Sequence, residues 1–438
     1  MVKRRKDKMR KIILTAVLTA VACLALAACG AGETTEDEQN TDAAVIQITA
    51  GEENVLEDGI YDGFTIDYSL SGTPDSPTIV RAADGAVPVI KVAPGECQSG
   101  ESEDLETSCG IYLNNAHDVV IEGIMIEGGT HGILYESNTT RGEESFDNIT
   151  IKDCKITGVV GVHGIAFYAA NDFAPVRNVT VTGCEVSDCL CGDSESVVLN
   201  GNIDGFTISD NRIHDNNNIG IDMIGFEGTA VHPEEGYEGN LYDADMVRNG
   251  KCFGNVIYNI SSDGNPAYLE DGEYDLCADG IYVDGGQNIE IYNNYVHNCD
   301  IGIEVATEHS PDDNTLFKVS GVDVHDNVIV DCNGWCGLCF GGYDENRGFT
   351  EDCEFHNNTL VDNGTHIVVQ KSKGNRIYNN LFVGGDADVE FSEDCAEGDM
   401  INEFSGNKWL TREEALDGFK SKIDGVGSTF VPDKQEID

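Results

Sequence analysis

Short runs of alternating apolar and polar residues recur along this chain, and each closes on Asn or Cys. They include Asn148-Ile-Thr-Ile-Lys-Asp-Cys154, Asn178-Val-Thr-Val-Thr-Gly-Cys184 and Gly205-Phe-Thr-Ile-Ser-Asp-Asn211. The series continues with Asn288-Ile-Glu-Ile-Tyr-Asn-Asn294, Gly321-Val-Asp-Val-His-Asp-Asn327, Asp352-Cys-Glu-Phe-His-Asn-Asn358 and the shorter Asn375-Arg-Ile-Tyr-Asn-Asn380. A second apolar pair follows each run, and then often a second Asn or Cys at 189, 216, 299, 332 or 363. The spacing varies from 22 residues (Asn358 to Asn380) to 44 (Asn211 to Asn255). Repeats of that size are the signature of a solenoid. Period-two alternation makes its rungs β-strands with one face inward. Stacked rungs place Asn over Asn, where side-chain amides bond to one another and to turn backbone.

This pattern resembles the right-handed parallel β-helix of the pectin-lyase-like superfamily, which carries such Asn ladders. The resemblance spans residues 45–400 and implies an all-β solenoid with one strand per sheet in each turn. The stretch Tyr61 to Lys91 resembles the first rungs of that superfamily. The superfamily hosts lyases, hydrolases, epimerases and adhesins, so the resemblance implies the fold and leaves the activity open. Residues 401–438 form a separate C-terminal cap or tail, because the ladder fades after Phe391. There Thr411-Arg-Glu-Glu414 fits a capping box opening a helix to about Lys422, which would shield the open strand edges.

Cysteine shares the Asn columns, which marks most of these thiols as small buried ladder residues. Cys299 and Cys332 fall on successive rungs, roughly 4.8 Å apart, within reach of a disulfide. Cys332, Cys336 and Cys339 have a metal-like spacing, but rung alternation points them in different directions.

The N-terminus is of another kind. Seven basic residues within positions 3–11 precede an apolar run, Ile12 to Ala28, which is short for a membrane span and fits an export signal. It ends Leu26-Ala27-Ala28-Cys29-Gly30, which resembles the lipobox of bacterial lipoproteins. That resemblance implies removal of residues 1–28, lipid modification of Cys29 and an extracytoplasmic, membrane-anchored protein. Residues 29–44 then serve as an acidic tether.

Charge follows from this. The chain carries 26 Lys+Arg against 79 Asp+Glu, a net charge of −53. Losing the signal removes seven cations and Asp7, leaving 19 − 78 = −59. Nucleic acid is excluded as a partner, since it needs Lys and Arg to displace counterions. The reading is a monomer acting on a carbohydrate polymer or oligosaccharide.

Aligning the strand after each ladder turn locates the candidate chemistry. The segments are Gly220-Ile-Asp222-Met-Ile, Gly280-Ile-Tyr282-Val-Asp284, Gly302-Ile-Glu304-Val-Ala, Gly337-Leu-Cys339-Phe-Gly341 and His366-Ile-Val-Val-Gln370. Second and fourth residues point inward, so third and fifth point outward onto an exposed sheet face. One column holds Asp222, Tyr282, Glu304 and Cys339, and the next holds Asp284, Gly341 and Gln370. Beyond the strands lie Glu227, Glu308, His309, Tyr343 and Arg347. Two long insertions, near 227–248 and 260–278, bring Tyr242, Arg248 and Tyr268 toward one side. Asp222, Asp284 and Glu304 are the candidate catalytic residues. Tyr282, Glu227, Arg248, Glu308, His309, Tyr343, Arg347 and Gln370 are the candidate substrate contacts.

Asp284 and Glu304 differ by one rung and two residues, which places their Cα atoms roughly 8 Å apart. Leaning together, their carboxyls would reach the range of a glycosidase pair. The segment from Gly280 to Asp284, with Glu304-Val305 and His309-Ser310-Pro311, is similar to the catalytic rungs of β-helical xylosidases, although Ser310 replaces a Gly. That resemblance implies Asp284 as nucleophile and Glu304 as acid/base. A glycoside hydrolase without cofactor leads. The second reading is a polysaccharide lyase, in which Asp222, Asp284 and Glu304 hold calcium and Arg248, Arg347 or Lys371 is the base. The third is a non-catalytic glycan-binding or adhesion protein.

Overall fold

The computed structural model describes residues 43–97, 107–138, 145–310, 317–342 and 347–411. The signal peptide, Cys29, nearly all of the tether, Tyr343 and the capping segment after Thr411 lie outside the described residues.

Among the described residues, three parallel sheets of 15, 12 and 11 strands run along the solenoid, and successive turns of chain contribute to all three. One turn shows the plan. Ile149–Lys152 enters the first sheet, Lys155–Thr157 the second and His163–Ala169 the third. Each strand pairs in register with its equivalents one turn earlier and later. Ile121, Ile151, Val181, Ile208, Cys252, Ile291, Val324, Phe355 and Ile377 therefore stack in one buried column. Each such side chain contributes roughly 1.5–3 kcal/mol by leaving water.

The turn between the first and second sheets explains the recurring Asx residues. The residue before each ladder position is left-handed: Asp210 at φ 56°, Asn293 at 54°, Asp326 at 54°, Asn357 at 55° and Asn379 at 57°. Asn and Asp tolerate that region better than other side chains with a Cβ. The ladder residue then turns inward. Asn255 Nδ2 donates to Asn294 Oδ1 at 2.9 Å, and the chain continues through Asn327, Asn358, Asn380 and Asn407 at 3.0–3.1 Å. The same amides also donate to a carbonyl of the preceding turn, as Asn294 does to Cys252 O at 3.0 Å. These bonds satisfy backbone that would otherwise be buried unpaired.

Asn402 and Asn407 carry the ladder past the expected boundary at 400, and strands Met400–Ser405 and Lys408–Leu410 join their sheets. The fading of apolar residues after Phe391 misplaced that boundary, because the Asn bonds persist where the core thins. Cys299 and Cys332, on successive rungs, are free thiols. Cys332 joins the inner core, whereas Cys336 and Cys339 pack on the outer face of the third sheet with Ile301 and Val368.

Candidate active site

The predicted columns exist. Asp222 pairs with Tyr282, Tyr282 with Glu304, and Glu304 with Cys339 on neighbouring strands of the third sheet. Asp284 lies opposite Ala306, and Ala306 opposite Gly341. Asp284 is therefore flanked diagonally by Asp222 one rung before and by Glu304 one rung after. The expected solvent-exposed sheet face is corrected. Asp222, Tyr282, Asp284 and Glu304 are 2%, 6%, 4% and 1% exposed. They form the floor of a recess, while Glu227 is exposed and His309 half-buried at its rim. Strand alternation tells outward from inward, but not whether neighbouring loops cover the outward face.

One wall is set by backbone geometry. Gly225 N donates to Asp284 O at 2.6 Å, and a Cβ on Gly225 would fall 2.7 Å from Gly285 O. Phe226 then adopts φ 69°, sparsely populated for a bulky residue, and carries the chain into the insertion. Its ring stacks on Phe317 at 4.3 Å, and Tyr242 tilts against the same ring at 5.0 Å. Glu227 follows at once and accepts a hydrogen bond from Asn200 Nδ2.

His309 Nε2 lies 2.7 Å from Asp284 Oδ2, and the Glu308 N–H donates to Asp284 Oδ1 at 3.3 Å. Burial alone would lower the His309 pKa. Asp284 overrides that, helped by Glu227 and Glu308, and raises it to about 10. The imidazolium thus belongs to the site at neutral pH. Asp222 has the opposite environment. Burial, then the charges of Glu195, Asp284 and Asp279, push its pKa well above the carboxylate range, and its Oδ1 makes no hydrogen bond among the described residues. Glu195 is pushed the same way by burial and by Glu227 and Asp193. Burial, with Asp284 and Glu304, keeps the Tyr282 phenol neutral.

The remaining predicted contacts divide. Glu227, Glu308 and His309 meet at the recess. Gln370 lies in the Asp284 column beyond Ala306 and Gly341, buried, with its Oε1 unbonded among the described residues. Arg347 is buried, and its backbone packs close to Gly342 at the end of the same sheet. Arg248 is corrected: it stands in Val247–Phe253 of the first sheet and bonds Asn202 at 3.0 Å and Asp204 at 3.5 Å. The insertion carrying Tyr242 ends before that strand, so Arg248 is ladder and not wall.

Sequence reasoning missed Glu195, Asn200, Tyr168 and His163. Asn200 and Tyr168 share a column, one and two rungs before the Asp222 strand respectively. His163 Nε2 bonds Tyr168 OH at 2.8 Å, and its Nδ1 lies 3.4 Å from Glu195 Oε2. Burial and His131 lower the His163 pKa to about 3, so this imidazole is neutral. Starting the strand alignment at Gly164 and Ser196 instead of Gly220 would have exposed Tyr168 and Asn200.

Parallel rungs, an inward Asn ladder and an outward row of carboxylates define a right-handed parallel β-helix protein. The chain belongs to the family described as periplasmic copper-binding protein (NosD), which matches residues 96–231 and 240–387. It is 34% identical over 400 residues to the uncharacterized protein YwoF of Bacillus subtilis (strain 168), covering 85% of this chain and 78% of that one. Among solved structures it is similar to the GH136 lacto-N-biosidase from Eubacterium ramulus, with TM-score 0.56 and 14% identity over 83% of this chain. The chain spans 63% of that enzyme's length. It is also similar to XylC in complex with xylose, with TM-score 0.48 and 11% identity over 89% of this chain and 76% of that one. At 14% identity the likeness to the biosidase shows the fold alone.

Proposed function

We propose that this protein is an extracytoplasmic glycoside hydrolase that works with a carboxylate pair at the recess of the third sheet. The observation that carries this reading is the contrast between two neighbours: Asp284 bound to the His309 imidazolium, and Asp222 buried with an unpartnered oxygen. Asp284 attacks the anomeric carbon or activates a water. The glycosidic C–O bond breaks, a new C–O bond forms, and the leaving oxygen takes a proton from a carboxylic acid. The xylosidase resemblance gives that proton to Glu304. The environment favours Asp222, whose proton affinity burial and the neighbouring acids raise well above the carboxylate range.

The donor geometry counts against the calcium-dependent lyase. Among the described residues, the recess carboxylates do not bring three ligand atoms within 4.8 Å of one another, and Arg248 is remote. Copper, named in the family description, is no better matched. It favours sets rich in imidazole, and the one imidazole on Asp284 is His309. The cluster of Asp323, Glu354 and His356 does bring three atoms within that distance, but Glu354 is held by Arg376 at 2.7 Å and Tyr378 at 2.8 Å. These residues do not fit copper.

The lipobox supports an anchor on Cys29, and the charge supports a monomer with no nucleic-acid partner. Incubating residues 30–438 with a glycan panel, with and without chelator, tests the reading. New reducing ends without unsaturated-uronate absorbance, lost in Asp284→Asn, support a hydrolase. Chelator-sensitive absorbance overturns it for the lyase, and binding without product overturns it for an adhesin.

A further inference from the structure

Lysine and arginine are scarce here, and the fold places many of them against acids on neighbouring rungs of its outer faces. Lys152 pairs with Glu122 at 2.8 Å, Lys155 with Glu185 at 2.8 Å, Lys251 with Glu290 at 2.7 Å and Lys318 with Glu351 at 2.6 Å. The upper end of the recess is treated differently. Among the described residues, no Lys or Arg pairs with Glu195, Asp222 or Glu227, the histidine beside Glu195 is neutral, and the nearby His309 imidazolium is bound to Asp284. A second observation is independent of these acids. Asn200 is 1% exposed, donates its amide to Glu227, and leaves its own Oδ1 without a donor. Among the described residues Asn200 Oδ1 has no donor, and Asp222 Oδ1 has none once that carboxyl ionises, so this end is short of donors.

We propose that the Asn200, Glu195 and Glu227 end of the recess receives a positively charged amine, making the substrate an amino sugar with an unacetylated ammonium group. An ammonium supplies three donors and one positive charge, which answers both deficits. A sugar hydroxyl supplies a donor but no charge, whereas a cation lets the crowded Glu195 and Glu227 carboxyls ionise. A bare divalent ion is disfavoured by spacing, since among the described residues the Glu195, Asp222 and Glu227 carboxyls do not bring three ligand atoms within 4.8 Å of one another. The inference rests on reading the recess as a sugar site, and it adds the chemical class of the sugar.

Calorimetry on residues 30–438 tests it, with β-1,4-linked glucosamine oligomers, their N-acetylated counterparts, xylo-oligosaccharides and calcium chloride as separate titrants. The free amine should bind about tenfold or more tightly than the acetylated form. Its affinity should fall as salt is raised, and Asn200→Ala and Glu227→Gln should erase the preference. Equal or tighter binding of the acetylated oligomer overturns the proposal, as does saturation by calcium alone. The wild-type comparison needs no variant, so a misfolded mutant does not rescue it. Cleavage of neutral glycans with no preference for the amine overturns this inference and spares the hydrolase. Amine binding without cleavage spares this inference and overturns the hydrolase.

Discussion

Replacing His309 with Gln removes the cation facing Asp284 while keeping a donor near Nε2. The pair is 2.7 Å apart, with side-chain exposures of 23% and 5%, so screening is modest. The His309 pKa rises from 6.5 to about 10 on folding. At about 1.36 kcal/mol per pH unit this coupling is worth roughly 5 kcal/mol, an upper figure in line with the ~3–5 kcal/mol lost when a buried pair loses one member. The sign is set by linkage. A group whose pKa is raised on folding stabilises fully below its unfolded value and ceases to do so above its folded one. The contribution is therefore whole below about pH 6.5 and gone near pH 10. At this chain length each kcal/mol moves Tm by about 1–2 °C. Thermal melts of wild type and His309→Gln should differ by roughly 5–10 °C at pH 6 and converge by pH 10. Asp222 and Glu195 titrate in both proteins, so the difference isolates His309. A gap that is constant from pH 6 to pH 10, or absent at pH 6, refutes the ion pair.

Other outcomes follow from the same geometry. Asp284→Asn and Asp222→Asn should each lower the hydrolysis rate about 10²–10⁴-fold with unchanged circular dichroism, whereas Glu304→Gln alone abolishing turnover would return the proton to Glu304. Arg248→Ala should leave the rate within about twofold, because its side chain faces Asn202 and Asp204 on another sheet; a larger loss would place it at the recess. Asn327→Ala orphans the Asn294 N–H and the Ile291 carbonyl and should cost about 3–5 kcal/mol, read as a lower melting temperature. Burial raises Cys189, Cys252 and Cys353 to about 12, so iodoacetamide at pH 8 should label them only after unfolding.

The division between sequence and structure follows residue by residue. A ladder Asn declares itself in one dimension because every rung repeats the same local need: a left-handed Asx turn, then an amide buried between two others. Register follows from the same repeat, since parallel strands one turn apart align position for position, and Asp222, Tyr282 and Glu304 fell into one column as read. The sequence by itself therefore determined the solenoid, the strand faces and the diagonal of Asp284 with its two neighbours. Tertiary structure alone decided what lies above that face. Tertiary packing buries this sheet face, and that burial, with Glu195 and Asp284 close by, drives the Asp222 proton affinity up. It also brings His309 onto Asp284, gathers Glu195 and Asn200 from earlier rungs, and leaves Arg248 outside. Ladder bonds join neighbouring rungs whose spacing the repeat sets, whereas proton affinities and pocket walls depend on insertions whose paths no repeat constrains.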